Sequence, residues 1–529
     1  MRGVLGIGIV VLTAGFVWGQ QASTVKVTPS KMPKLGTVDP RFLSYNVEMV
    51  EVTGGRFWKP YKPKFEGQEP EKSNTPPDPN QEVGVNSSLY QYRAPIELDN
   101  IRLRKLAAAL GPSYMRVSGT WQNSTYFQND DNPGLREPPK GFKGVATRAE
   151  WKGVVDFSRA VDAKLVTSVA ISAGTRNAEG VWTPTQAKEL FDYTKSLGGS
   201  IAATEFMNEP TFAIVGGAPN GYDAPAFAKD VQVFDAFLRK ESPNTIFLGP
   251  GSVGEGISLL PQGAQMKLIH TEDILKATGP IFDAFSYHFY GTVSRRCAGS
   301  LDAMAALSTE WLHRTDTAEE FYAALRNSYL PGKPLWLTET AEAACGGDQF
   351  AGQFVDSFRF LNQLGSLAQK GVKVVMHNTL ASSDYGLLAE DSLQPRPNYW
   401  AALIWKRTMG PVVLDPGTAK DQALRIYAHC MQGVKGGVAL LALNSDAAQD
   451  QTVMLPVAGI RYSLTANDPT STTVLLNGSE LNAASDGSIP GITGVPLNVG
   501  SLRLPPLSIT FVTIPSARNK NCMKETADL

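Results

Sequence analysis

The sequence predicts an α/β fold, a (β/α)8 TIM barrel with a C-terminal antiparallel β-sandwich. From Phe42 onward, short apolar segments of strand length alternate with amphipathic segments of helix length, the pattern of βαβ units around a parallel sheet. Eight strand segments of this kind can be read, enough to close a barrel. After about Gly410 the pattern changes to alternating apolar and polar runs broken by Gly, Asn, Asp and Pro, which predicts an antiparallel sandwich.

The eight predicted strands are FLSYNVEM from Phe42, YMRVSG from Tyr114, KLVTSVAIS from Lys164, ATEFMNEP from Ala203, IFLGPGSV from Ile246, AFSYHFYG from Ala284, LWLTETA from Leu335 and VKVVMHNTL from Val372. Between them, segments such as IELDNIRLRKLAAAL, RAEWKGVVDFSRAVDA, PTQAKELFDYTKSL and AFAKDVQVFDAFLRK repeat apolar residues every three to four positions, as helices do. A doubly wound open sheet is the rival architecture; it predicts one cofactor-binding first loop rather than polar residues at many strand ends. In the last part of the chain, VALLALNSD, TVMLPV, STTVLLNGS and LSITFVTIP read as sandwich strands, and STVKVTPS near the start is expected to join them.

At 529 residues the chain suits a barrel plus one further module. Its formal net charge of -1 offers no polyanion-binding surface, so nucleic acid is not an expected partner. The first residues place one arginine before an apolar run that ends in small residues, the layout of a secretory signal. The run from Val4 to Trp18 is short of the roughly 20 apolar residues a membrane span needs. The expected organisation is therefore a signal peptide over 1–19, a strand segment over 20–38, the barrel over 39–409, the sandwich over 410–516 and a tail over 517–529. A secreted or periplasmic location follows, where Cys297, Cys345, Cys430 and Cys522 can form disulfides.

Barrel active sites gather at the C-terminal ends of the strands, so acids there carry the most weight. Glu209 ends the fourth segment in FMNEP and Glu339 the seventh in LWLTET. Two carboxyls facing each other across a barrel mouth suit glycoside hydrolysis, in which one protonates the leaving oxygen and the other acts at the anomeric carbon. Glu205 reads as a supporting acid, and Arg116, ending the second strand, as a buried cation beside the Glu339 carboxylate, with a surface arginine as the alternative. His288 and Tyr290 are two apart on the sixth strand and share a face, predicted to point inward, with the tyrosine in reach of Glu339. The five histidines show no metal-ligand spacing, so neither metal nor cofactor is expected. GPGSVG from Gly249 satisfies GxGxxG but falls in the fifth unit rather than the first, and is expected to be a flexible rim loop.

Taken together, YMRVSGTW, ATEFMNEPTF, SYHFYG, LWLTETAEAACGG, VKVVMHNTLASSDYGLL, PRPNYWAALIWKRTMG, LRIYAHC and the final LSITFVTI resemble glycoside hydrolase family 79, which holds heparanases and β-glucuronidases. The resemblance implies a retaining enzyme with Glu209 as acid/base and Glu339 as nucleophile. It implies that Asn208 binds the sugar 2-hydroxyl, and that Tyr385 with nearby backbone amides and Ser383 grips a glucuronate carboxylate. It also supports pairing of Cys430 with Cys522; a second bridge between Cys297 and Cys345 is open. His377 stands where heparanases carry arginine, and Ser383 and Asp384 replace a Gly-Asn pair. The long connection from Phe57 to Tyr92 is expected to wall the site into a pocket. The expected substrate is a carbohydrate ending in glucuronate, cut by exo action. An endo-acting heparanase-like or hyaluronan-cleaving enzyme is the alternative, and a non-catalytic carbohydrate-binding protein is the third reading.

Overall fold

In the computed structural model, which describes residues 24–61, 87–260, 267–418 and 423–523, the eight predicted segments form one closed parallel barrel. Its strands are Leu43–Glu48, Ser113–Ser118, Ala163–Thr167, Ile201–Thr204, Ile246–Ser252, Ala284–Val293, Leu335–Ala344 and Val374–His377, each hydrogen-bonded to its neighbours in sequence order, with the eighth closing on the first. The signal-like segment over 1–19 lies outside the described residues. Among the described residues no helix is long and apolar enough to cross a membrane.

Local chemistry sets the helix ends. Asn100 caps Ile101–Ala109 by accepting from Leu103 N, so Ile96 to Asn100, read as helical from periodicity, stay outside. Thr147 and Glu150 form a reciprocal capping box at the start of Arg148–Ala160. Asp223 caps Ala224–Glu241, whose buried stripe includes Phe227, Val231, Phe234 and Leu238. The fourth strand stops at Thr204, earlier than the sequence suggests. Beyond it the Asn208 N–H donates to Asn123 Oδ1 (2.8 Å) and Asn123 Nδ2 donates to Asn208 O (3.0 Å), so a side chain takes the place of a neighbouring strand.

GPGSVG is not a flexible loop. Gly249 to Ser252 belong to the fifth strand and are buried. Gly251 has φ +77°, and a Cβ there would lie 3.1 Å from Glu205 Oε1, so the motif serves close approach of backbone to a buried carboxylate.

Strand-rich sheets form the C-terminal region. Thr24–Lys26 runs parallel to Gln451–Leu455, which pairs antiparallel with Gly500–Leu504. Lys34–Thr37 pairs with Met409–Leu414 at the edge of the larger sheet, so the N-terminal segment adds a strand to each sheet. Val27, Leu414, Leu440, Val453, Leu502 and Ile514 pack between the two sheets. The larger sheet also covers the barrel: Tyr427 Oη donates to Asn362 Oδ1 (2.7 Å) on the helix Phe354–Lys370. This double burial explains why all of Val438–Asn444 is buried where half-polar alternation was expected.

Two disulfides are present. Cys297–Cys345 joins the loops after the sixth and seventh strands, and Cys430–Cys522 ties the last turn to the sheet. Asn519 Nδ2 adds bonds to Pro29 O (2.7 Å) and Met32 O (2.9 Å). The Cys430–Cys522 bridge closes a 92-residue separation, so its loss by Cys430→Ala with Cys522→Ala should cost about 2–5 kcal/mol in denaturant unfolding. A change below about 0.5 kcal/mol would show that the amide bonds alone hold the tail.

Candidate active site

At the centre of the barrel mouth the buried guanidinium of Arg116 donates from Nε to Glu205 Oε2 (3.0 Å), from Nη1 to Glu339 Oε2 (2.8 Å) and from Nη2 to Asn208 Oδ1 (2.7 Å). Arg116 lies inside the second strand rather than at its end. Burial alone would lower its pKa, but the charges of Glu205 and Glu339 raise it above its ordinary value. Glu205 is fully buried and also accepts from Thr338 Oγ1 (2.7 Å). Burial pushes its carboxyl up, yet Arg116 and His288 outweigh this and hold it below the usual carboxylate range.

Glu339 has a donor on each oxygen, since Tyr290 Oη donates to Oε1 at 2.6 Å. Burial raises the Tyr290 pKa well above the ordinary value, so this hydroxyl stays a donor. His288 shares the inward face of the sixth strand, with Nδ1 3.1 Å from Glu209 Oε1 and Nε2 3.3 Å from Arg116 Nη2. Burial would lower its pKa, but the charge of Glu339 and bonds to Glu205 and Glu209 raise it to about 9.

Glu209 sits just past the strand with φ +50°, a left-handed conformation that is strained for glutamate and aims its carboxyl at the cleft. Burial raises its pKa, the His288 hydrogen bond opposes this, and the charge of Glu339 adds to it. A carboxyl that keeps its proton in this way suits proton donation. Ligand atoms of Glu209, His288 and Glu339 all lie within 4.8 Å of one another, close enough to hold a cation. The Arg116 guanidinium on Glu339 and the raised imidazole pKa favour protons there over a metal.

The cleft over these groups, about 120 Å3, is lined by both acids together with Glu48, Trp58, Tyr290, Asn378 and Tyr385 among others. A larger cavity of about 480 Å3 lies beyond Phe57 and Glu51, but neither Glu209 nor Glu339 opens into it. The chemistry therefore belongs to the smaller cleft. Tyr385 lines the cleft, and its hydroxyl oxygen accepts from Asn378 Nδ2 at 3.2 Å. Arg116 and His288 are 1 % exposed and stand behind the carboxyls, not on the wall. Asn208 is buried as well, its Oδ1 engaged by Arg116 and its Nδ2 3.5 Å from Thr120 Oγ1 on the cleft.

Ser383 is not brought to the cleft. Its N–H donates to Glu390 Oε2 (3.3 Å), its carbonyl accepts from Arg396 (2.8 Å) and its hydroxyl is buried, so contact with a sugar is not supported. His377 is also turned away, with Nε2 2.8 Å from the Tyr385 carbonyl oxygen. Burial, with the nearby Arg359 charge, lowers its pKa to about 3, so it carries no charge to replace an arginine. Arg296 is spent within the rim: it donates to Lys59 O (2.7 Å) and Gly347 O (2.6 Å), pairs with Asp384 and covers the Tyr61 ring.

Sequence reasoning missed Asn123, Asn378 and Glu48. Asn378 Nδ2 lies 3.1 Å from Glu48 Oε1 and 3.0 Å from Tyr290 Oη, joining the first, sixth and eighth strands. Burial, then the charges of Glu339 and Glu51, raise the Glu48 pKa well above the ordinary value. Both positions were within reach of the strand-end rule, since Glu48 closes the first strand and Asn378 follows the eighth. Asn123 carries no comparable signal.

Residues 87–365 match the glycosyl hydrolase family 79 N-terminal domain. Heparanase-like protein 1 of Arabidopsis thaliana is 26% identical over 505 residues, covering 84% of this chain and 90% of that protein. Heparanase of Mus musculus is 27% identical over 488 residues (80% and 88%), and hyaluronoglucuronidase of Hirudo nipponia 24% over 492 residues (84% and 95%). The crystal structure of a 4-O-alpha-L-rhamnosyl-beta-D-glucuronidase from Fusarium oxysporum superposes with a TM-score of 0.61 at 14% identity, covering 93% of this chain and 100% of that one, a likeness of fold.

The raised His288 pKa links the site to stability. A histidine raised from 6.5 to about 9 adds stability that is full below about pH 6.5 and is lost as pH rises through about 9. The unfolding free energy of the native protein should therefore exceed that of His288→Gln most at low pH, the gap closing across that window. A gap independent of pH would mean that the imidazole is neutral in the folded protein.

Proposed function

The chain belongs to glycoside hydrolase family 79 and is a glycoside hydrolase, and from that premise we propose that it is a retaining, exo-acting β-glucuronidase. The observation that carries this reading is the close approach of a Glu209 oxygen to a Glu339 oxygen, within 4.8 Å. Retaining enzymes hold their carboxyls about 5–5.5 Å apart, whereas inverting ones leave about 6.5–9.5 Å for a water.

In the first step Glu339 attacks the anomeric carbon, the bond to the leaving oxygen breaks, and Glu209 gives that oxygen its proton. A glycosyl ester on Glu339 results. In the second step Glu209 takes a proton from water, the water oxygen bonds to the anomeric carbon, and Glu339 leaves as carboxylate. Arg116 and Tyr290 orient the nucleophile, and Asn208 is the candidate for the 2-hydroxyl. His288 holds Glu209, and its charge favours departure of the proton toward the leaving group.

Specificity for glucuronate rests in this reading on Tyr385 and the turn beside it. Cys345, Gly346 and Gly347 all have positive φ, and a Cβ on Gly347 would lie 3.0 Å from Tyr385 N. Such turns present backbone N–H groups to anions. Exo action is supported by the first connection, whose described ends Gly55–Trp58 and Tyr90–Arg93 pair into a ladder with Phe57 and Trp58 on the cleft. The names of the heparanase and hyaluronoglucuronidase relatives favour endo action as the second reading. A secreted or periplasmic location belongs to the same proposal, supported by two disulfides.

Glu339→Ala and Glu209→Ala should each remove most turnover of an aryl β-glucuronide; azide should rescue Glu209→Ala with the β-glycosyl azide as product, and any rescue of Glu339→Ala should give the α-azide. A β-azide from Glu339→Ala, or an α-azide from Glu209→Ala, would reverse nucleophile and acid. On a glycan the protein should release free glucuronic acid from non-reducing ends, and Tyr385→Phe should slow that release about ten- to a hundredfold. A rapid fall in polymer size with little monosaccharide would establish the endo reading.

A further inference from the structure

The leaving-group side of the cleft has a chemistry of its own. If Glu209 protonates the leaving oxygen, the aglycone lies on the Glu209 side, so any assignment of an aglycone subsite rests on the proposed reaction. Phe212 ends the short turn Pro210–Phe212 that directly follows Glu209. Thr211 Oγ1 donates to Val253 O (3.0 Å) and accepts from Val253 N (3.1 Å), which locks this turn to the loop after the fifth strand. A Cβ on Gly254 would lie 3.0 Å from the Phe212 ring and 3.8 Å from Leu259 Cγ, so those two side chains flank one spot. Phe212, Val253 and Leu259 all line the cleft beside Glu209.

The charges of the cleft are one-sided. Among the described lining residues the ionisable carboxyls are Glu48, Glu209 and Glu339, and no lysine or arginine is present. Two nearby guanidinium groups are engaged, Arg116 by Glu205 and Glu339, and Arg296 by rim carbonyls and Asp384. Among the described residues of the cleft, a sulfate or carboxylate on the leaving group would meet acids and apolar surface and no lysine or arginine to offset its loss of water. A flat apolar group would gain by covering Phe212 and Leu259.

We propose that Phe212, Val253 and Leu259 form the leaving-group subsite, and that it accepts a neutral, flat apolar aglycone, an aryl group above all, in preference to a sulfated or otherwise anionic sugar. The subsite adds the second half of the specificity to the side at Tyr385, against whose cluster with Val253 and Tyr290 the Phe212 and Leu259 side chains pack.

Three probes test it on the intact protein: 4-methylumbelliferyl β-glucuronide, a ring-sulfonated aryl β-glucuronide of matched leaving-group acidity, and β-glucuronyl fluoride, whose leaving group is too small to reach the shelf. The neutral aryl glucuronide should exceed the sulfonated one in kcat/KM by about tenfold or more. Phe212→Ser, at a half-buried position, should lower the aryl-to-fluoride ratio of kcat/KM by about tenfold. Leu259→Ser should shift that ratio in the same direction. Equal turnover of the neutral and sulfonated compounds, or a ratio untouched by both variants, would overturn the proposal. If β-glucuronyl fluoride is not hydrolysed, the glucuronidase reading fails by itself, and the same ratio is then measured with the glycosyl fluoride and aryl glycoside that the protein does hydrolyse.

Discussion

A single desolvated cation organises the barrel mouth. Arg116 takes two carboxylates and one amide oxygen from the fourth and seventh units, all within 3.0 Å. Its planar fork suits such multiple bonding in a way that a lysine ammonium does not. A buried pair of this kind adds little net stability, because removing charges from water costs several kcal/mol per ion. Breaking it is a different matter, since the carboxylates left behind would be buried without a counter-charge, at a cost of about 3–5 kcal/mol. The value of the arrangement is therefore geometric. Glu339 cannot rotate away from the cleft without giving up both Arg116 and Tyr290.

Around that centre the two acids of the cleft acquire different environments. Glu339 accepts two strong hydrogen bonds, whereas Glu209 is buried in a left-handed turn and meets His288. Pairs of carboxyls set apart in this way are how one site runs acid and nucleophile chemistry at the same pH. Asn123 holds the Asn208 peptide on both sides and so sustains the strained residue after it. Strain at a site persists only when its surroundings over-determine it, and here two hydrogen bonds and the Thr211–Val253 lock do so.

The rim is held by covalent and ionic ties rather than by a large apolar core. Cys297–Cys345 connects two adjacent loops, and Arg296 bridges Gly347 in the second of these to Lys59 and Asp384 from two others. Loops fastened in this manner keep a small cleft small. The larger C-terminal sheet lies on the helices Phe354–Lys370 and Pro397–Thr408, giving the barrel a second buried layer.

By itself the sequence determined the barrel, the number of its strands and the two acids of the cleft, although Glu339 lies inside the strand Leu335–Ala344 and Glu209 beyond the strand Ile201–Thr204. Those features follow from local periodicity and from the rule that polar residues at strand ends face the site, both of which are properties of neighbouring residues. Tyr290 in reach of Glu339 could be read for the same reason, as residues two apart on a strand share a face. The tertiary structure alone decided that Asn378 meets Glu48 across 330 positions, that Asn123 grips Asn208, and that Ser383 and His377 turn away from the cleft. It also decided that Val438–Asn444 is buried on both faces. Contacts of this kind are made when the barrel closes and the sheet docks on it, and no pattern within a short window of sequence records which distant backbone will arrive alongside.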